Sequence, residues 1–265
     1  MLFTIKNSVK NRTTLLPFFL LLFCLSLALL TAACGKQEGS AGHLYSFKDA
    51  QGTEIKLKEK PKRILTLSMG TDEIMLGLVE PERMLAVQAL LDDPKSSTVL
   101  PLVKNIPQRI TAPTLEQLVA MRPDLIIAPD WGHLENVAAM RDAGLTVAVC
   151  KGPRNLAQIK ETIELLAKAA GEEERGKKLL ALMDKELAEV KAQTEKIPPA
   201  ERKRVVLISL MGSYGGKGST FDEACSLANV INARAEIGIK DGQPMTKEQY
   251  AIVDRLLMDI MDGKV

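Results

Sequence analysis

Asp124-Leu125-Ile126-Ile127-Ala128 is an apolar run set between two stretches of helical spacing. A strand without polar alternation must be covered on both faces, as in a parallel sheet sandwiched by helices. The flanking pattern fits that frame. Upstream, residues 63–68 and 84–87 are short apolar strand candidates. Thr71 can cap a helix over 72–78, with Asp72 and Glu73 in its first turn, where the dipole favours acids. Thr114 caps a helix through Met121, Gln117 stands in the capping-box position, and Pro123 stops it. Downstream, a helix over 134–143, a strand over 145–150 and a helix over 156–170 continue the series. Residues 45–57 alternate apolar and polar around Asp49-Ala50-Gln51-Gly52 and read as a hairpin. Strands alternating with helices imply a doubly wound α/β lobe.

Residues 172–196 carry Leu179, Met183, Leu187 and Val190 at helical spacing, with Glu172, Glu173 and Glu174 at the start and Lys191 and Lys196 near the end. Both charge placements suit the helix dipole. A helix of this length is about 37 Å long at 1.5 Å per residue. It reads either as an ordinary amphipathic surface helix or as a rigid strut leading into a second lobe. That lobe opens with a strand over 204–209, a Gly-rich loop over 211–219 and a helix over 220–232.

The N-terminus reads as an address. Lys6, Lys10 and Arg12 precede an uncharged, apolar stretch over 15–33, and Ala32-Ala33-Cys34-Gly35 follows. A basic start, an apolar stretch and small residues before a cleavage point make an export signal. Nineteen apolar residues lie near the lower limit for a membrane span. Cys34, followed by a polar tether, favours instead a bacterial lipoprotein signal, which this segment resembles with Leu30 four residues before the cysteine. The expectation is a signal peptide over 1–33, lipidation of Cys34, a tether over 34–44 and an extracytoplasmic protein anchored to the cell membrane by acyl chains. Export permits a disulfide, but Cys150 ends a strand and Cys225 lies in a distant helix, so two buried free thiols are expected.

Composition narrows the function classes. Without its first 33 residues the chain holds 32 basic and 33 acidic residues, so nothing marks it for nucleic acid. With only His43 and His133, a zinc or manganese site would have to come mostly from carboxylates; no metal or cofactor is expected. The loop Gly212-Ser213-Tyr214-Gly215-Gly216-Lys217-Gly218-Ser219 sits between strand and helix as phosphate loops do. It lacks the first Gly, where Met211 stands, and the Ser or Thr after the Lys, where Gly218 stands. Phe221 likewise breaks the dinucleotide fingerprint. No Ser/His/Asp set stands out, and no enzyme is expected.

The two halves echo one another. Strand, loop and Thr71-Asp72-Glu73-Ile74 in the first match strand, loop and Thr220-Phe221-Asp222-Glu223 in the second. Thr114-Leu115-Glu116-Gln117 then matches Thr246-Lys247-Glu248-Gln249. With Pro61-x-Arg63-Ile64, Arg122-Pro123-Asp124-Leu125-Ile126-Ile127, Ala143-Gly144-Leu145-x-Val147 and the long helix in order, residues 45–249 resemble the substrate-binding proteins of ABC importers for iron–siderophore complexes, haem and cobalamin.

The resemblance implies two α/β lobes, 45–170 and 198–265, joined by one long linker helix over 171–197, with ligand in the interlobe cleft. It implies a monomer that binds an iron complex or corrinoid and delivers it to an ABC permease. One glutamate per lobe, Glu116 and Glu248, would dock onto permease arginines; the plainer reading is a cap-region acid in each case. The cleft would be lined by loops after strands: Ser68, Met69, Gln88, Asp130 and Trp131 from one side, Tyr214 from the other. Arg109 is either a contact for an anionic ligand or a solvated loop charge. Alternatives are a metal-ion or oxyanion binding protein of the same fold, or a surface lipoprotein without a transport role. Because the second tetrad is not followed by a Pro-Asp stop and apolar strand, a shortened C-terminal lobe is expected.

Overall fold

The computed structural model describes residues 45–131, 134–208 and 213–264. The expected signal peptide, the tether with Cys34, and His133, Ser209, Met211 and Gly212 lie outside the described residues.

The hairpin forms as expected. β1 (Tyr45–Lys48) and β2 (Glu54–Leu57) pair antiparallel, Phe47 opposite Ile55. Asp49 makes the turn: its Oδ1 accepts the Gln51 and Thr53 N–H groups, both at 2.9 Å. Its Oδ2 accepts from Arg141 at 3.0 Å and from the Val149 N–H at 3.1 Å, fastening the hairpin to a sheet edge.

That sheet is parallel and has five strands in the order β5-β4-β3-β6-β7. The strands are β3 (Ile64–Thr66), β4 (Met84–Gln88), β5 (Arg109–Ile110), β6 (Leu125–Pro129) and β7 (Val147–Cys150). β3 is central. Ile64, Leu65 and Thr66 pair with Leu125, Ile126 and Ile127 on one side, and β4 lies on the other. Alternate residues feed two cores. Ile64, Leu125, Ile127 and Cys150 face a core with α1 (Met69–Leu78), α5 (Leu156–Ala170) and the hairpin. Leu65, Ile126, Ala128 and Val149 face a core with α3 (Leu115–Met121) and α4 (Leu134–Asp142). A short α2 (Leu100–Val103) precedes β5. The mixed α/β class with a parallel sheet and a long helix is the one expected from the sequence.

The start of α1 differs from the sequence reading. The helix begins at Met69, and Ser68 is its N-cap, accepting from the Thr71 N–H at 3.4 Å. Asp72 therefore sits one turn in and faces the core.

α5 ends at Gly171, and α6 (Glu173–Thr194) follows, about 33 Å of helix. Arg83 braces the joint. Its guanidinium pairs with Glu172 at 2.6 Å and donates to the Ala170 and Pro61 carbonyls at 2.6 and 2.7 Å.

Beyond α6, β8 (Arg204–Val205) pairs in parallel with β9 (Ile231–Asn232), followed by α8 (Ala233–Glu236) and α9 (Lys247–Met261). Of the expected strand over 204–209, the described residues form strand only at Arg204–Val205. The expected helix over 220–232 stops at α7 (Thr220–Leu227). Asn229 adopts φ 55°, and its side-chain amide donates to the Thr194 and Ile197 carbonyls. That left-handed residue ends the helix and ties it to the end of α6. Cys150 and Cys225 are buried free thiols.

Among the described residues beyond α6, only Cys225, Ala233 and Ile239 are fully buried apolar side chains, and α9 buries none. Segments with few buried apolar contacts open first. In native-state hydrogen exchange and limited proteolysis, residues 204–264 are expected to exchange and be cut before β3, β6 and β7. Equal protection of both regions would contradict this.

Candidate functional site

The strand order reverses between β3 and β6. Chains leaving their carboxyl ends diverge to opposite faces there and leave a crevice, the usual place for ligands in open α/β sheets. A cavity of about 480 Å³ opens at this point. Leu67 and Gln88 line it from the ends of β3 and β4, Thr111 and Thr114 from the loop into α3, and Pro129 and Asn136 from β6 and α4. Its wall is mostly apolar with a few polar groups, the usual make-up of a small-molecule site.

Asp72 holds the β3–β4 side of the crevice together. It is completely buried. The Thr66 hydroxyl donates to its Oδ1, and the Gln88 N–H donates to Oδ2 at 2.8 Å. Burial pushes this carboxyl up to about 7, against the opposing pull of Thr66 and Gln88. This role was not legible in the residues, because an acid one turn into a helix looks solvated until the packing is known.

The predicted ligand residues fall at several places. Ser68 and Met69 form the start of α1, and Met69 packs against the first core. Gln88 lines the cavity. Asp130 bridges two strand ends: its N–H donates to the Cys150 carbonyl and its Oδ1 accepts from the Gly152 N–H, both at 2.9 Å. Trp131 is 59% exposed, and its ring lies over Gly152. A Cβ at Gly152 would stand 2.6 Å from the ring, so only glycine leaves the indole in place. Tyr214 is exposed, its hydroxyl 3.2 Å from the Thr220 hydroxyl.

Arg109 is fully occupied. Nε and Nη2 hold both oxygens of Asp92 at 2.7 and 2.9 Å, and the remaining donors reach the Val103, Ile106 and Gln108 carbonyls. All five donors have acceptors within the protein.

Glu116 and Glu248 occupy matched positions. Each follows a Thr N-cap by two residues, and both caps are complete capping boxes. Both glutamates are exposed, and each carboxyl is held below its ordinary value, first by its own backbone N–H and then by the cap threonine. Among the described residues no group of three or more His, Cys, Asp or Glu could hold a metal ion, and no helix is long and apolar enough to cross a membrane.

The model of the family described as periplasmic binding protein matches residues 64–259. The uncharacterized ABC transporter substrate-binding lipoprotein YvrC of Bacillus subtilis is 22% identical over 162 residues, covering 60% of this chain and 50% of that protein. The probable siderophore-binding lipoprotein YfiY of the same organism is 27% identical over 187 residues, 69% of this chain and 55% of that protein. The chain thus spans about half the length of these curated relatives. Among solved structures, the periplasmic heme-binding protein RhuT from Roseiflexus sp. RS-1 superposes with a TM-score of 0.57 and 25% identity, covering 71% of this chain and 72% of that one.

The raised Asp72 value sets a pH dependence. Between about 4 and about 7 the native carboxyl keeps its proton while the unfolded chain has released it. Its contribution to stability is therefore fully present below about pH 4 and is lost as pH rises through about 7. Asp72→Asn is expected to remove this slope. Across that window the native chain should lose on the order of 2–4 kcal/mol relative to the variant, read as a falling difference in melting temperature. Parallel pH profiles would contradict it.

Proposed function

The chain belongs to the periplasmic binding protein family, and on that premise we propose that it is the substrate-binding protein of an ABC importer. In this reading it captures an iron complex, a siderophore chelate or haem, or else a corrinoid, and hands it to the permease. It acts as a monomer outside the cytoplasmic membrane, held there by acyl chains on Cys34. Its lobes are 45–170 and 198–265, with α6 as the rigid part of the linker over 171–197. It binds and releases its ligand unchanged.

The observation that carries this reading is the crevice at the strand-order reversal, with Trp131 exposed just beyond Pro129 in its wall. An exposed indole fixed over a glycine is a preformed stacking surface, and both porphyrins and aromatic chelators present flat apolar faces to it. The relatives support the class: one is named as a substrate-binding lipoprotein, one as siderophore-binding and one as heme-binding. Glu116 and Glu248 suit docking because an ionised, exposed carboxylate with only local partners remains free for a bidentate arginine.

Trp131 is the only tryptophan, so its fluorescence reports on the site. Titrating the full chain in detergent with ferric siderophores, haemin and cyanocobalamin, corrected for inner-filter absorption, is expected to give saturable quenching by one of them. Trp131→Ala should weaken binding of that ligand about tenfold by equilibrium dialysis, about 1.4 kcal/mol. Failure of all ligands to bind would overturn the proposal.

Docking is tested separately. Glu116→Arg combined with Glu248→Arg should leave ligand affinity unchanged and lower ligand-stimulated ATP hydrolysis by the reconstituted permease by about tenfold or more. Undiminished stimulation would remove both residues from the docking surface.

A further inference from the structure

The helix α7 is held at both ends by distant parts of the chain. At its C-terminal end the Leu227 carbonyl accepts from the Thr194 hydroxyl at 2.7 Å, next to the bonds of Asn229 to the end of α6. At its N-terminal end Glu223, one turn in, reaches the first residue of α5: its Oε2 accepts from the Leu156 N–H. The first N–H groups of a helix have no acceptor within it. Here the Asn155 side chain accepts from the Gln158 N–H at 2.9 Å, and Glu223 takes the Leu156 N–H that this cap leaves over. The helix dipole favours an acid at that place. Asp222, the preceding acid, serves its own region instead: it accepts from the Gly218 N–H at 2.9 Å and from the Asn232 side-chain amide at 3.0 Å. A second contact joins the same two regions, Arg154 to Asp241 at 3.8 Å. Its guanidinium is exposed, so it contributes little by comparison.

The segment that leads into α5 also carries the floor of the exposed indole. Gly152 lies under the Trp131 ring, and its N–H donates to Asp130 at 2.9 Å. Pro153 follows, and its ring fixes one backbone torsion. The Arg154 N–H then donates to the Gln158 side chain at 2.8 Å. From Gly152 to Leu156 the chain can span at most about 14 Å. The support of the indole and the Glu223 contact are therefore the two ends of one short, pinned segment. With the far end of α7 fastened to α6, loss of the Glu223 contact frees the start of α7 and the end of that segment together.

We propose that Glu223 is a positioning residue for ligand binding: by capping α5 from α7 it holds the 152–156 segment under Trp131 and fixes the separation of the two lobes on the β7 side of the cleft. The proposal rests on the reading of the chain as a binding protein and adds what keeps its cleft from opening on that side. The bonds to α6 hold α7 at one end only. The Glu223 contact lies towards the other end of this helix of about 12 Å and removes the swing that remains. A ligand stacked on Trp131 leaves when its floor or the facing lobe moves away, so the contact acts on the rate of release more than on the rate of capture.

The test compares Glu223→Leu, which removes the acceptor, with Glu223→Gln, which keeps an amide oxygen at the same reach. Arg204→Gln, which breaks the pair with Glu236, controls for general loosening of the chain beyond α6. The first readout is the time-resolved fluorescence anisotropy of Trp131, the only tryptophan, in the full ligand-free chain in detergent. The amplitude of its fast nanosecond decay should rise about twofold in Glu223→Leu and stay unchanged in the other two variants. Hydrogen exchange at the start of α5 should speed up about tenfold in Glu223→Leu alone. Haemin, an uncharged ferric trihydroxamate and cyanocobalamin are then titrated as probes. For the probe that binds, Glu223→Leu should raise the dissociation rate about tenfold with the association rate nearly unchanged, and Glu223→Gln should restore slow release. Unaltered anisotropy and release in Glu223→Leu, the same changes in Arg204→Gln, or no rescue by Glu223→Gln would overturn the positioning role while the binding-protein reading stands. Failure of all three probes to bind the unaltered chain would overturn both.

Discussion

The parallel pairing of β3 with β4 on one flank and β6 on the other is the constraint on which the rest of the molecule depends. With β3 central, consecutive strands are added first on one side and then on the other. α1 and α5 must cover one face, and α3 and α4 the other. The same reversal opens a crevice that hydrogen bonding within the sheet cannot close, since the chains leaving β3 and β6 turn away from each other. The Arg83 brace and the Asp49 turn are attachments to this frame. One anchors the joint from which α6 departs; the other pins the hairpin against β7.

Carboxylates show how environment assigns different roles to one chemical group. Asp72, sealed between β3, α1 and β4, is pushed towards neutrality and joins strand ends. Glu116 and Glu248, each in the first turn of a capped helix in water, are held ionised. Asp92 occupies the fork of Arg109, and Asp241 pairs with the exposed Arg154.

Much of the first sheet was legible in the residues. The apolar runs of β6 and β7 and the capping box at Thr114 each rest on short-range patterns, and they fold where those patterns place them. The second tetrad, at Thr246, forms the same box. Legibility failed where contacts distant in sequence decided the matter. Ser68 rather than Thr71 caps α1, its hydroxyl accepting from the Thr71 N–H. The helix expected to run to Asn232 ends at Leu227, because the Asn229 amide is held by carbonyls at the end of α6. Ile231 and Asn232 then pair with Arg204 and Val205 instead.

By itself the sequence determined the type and order of the elements from β1 to α6, the short α2 and β5 apart. Hydrophobic period, caps and breakers act over a few residues and need no knowledge of the fold. It also marked Trp131, Glu116 and Glu248 through their positions beside a strand end and two caps. Only the tertiary structure decided which charges are committed and which are free. Arg109 is consumed by Asp92 and three carbonyls, while Glu223 is drawn to the start of α5. Asp72 is buried rather than solvated. Those outcomes depend on which groups from remote parts of the chain arrive within a few ångströms, and electrostatic interaction and desolvation act through that proximity.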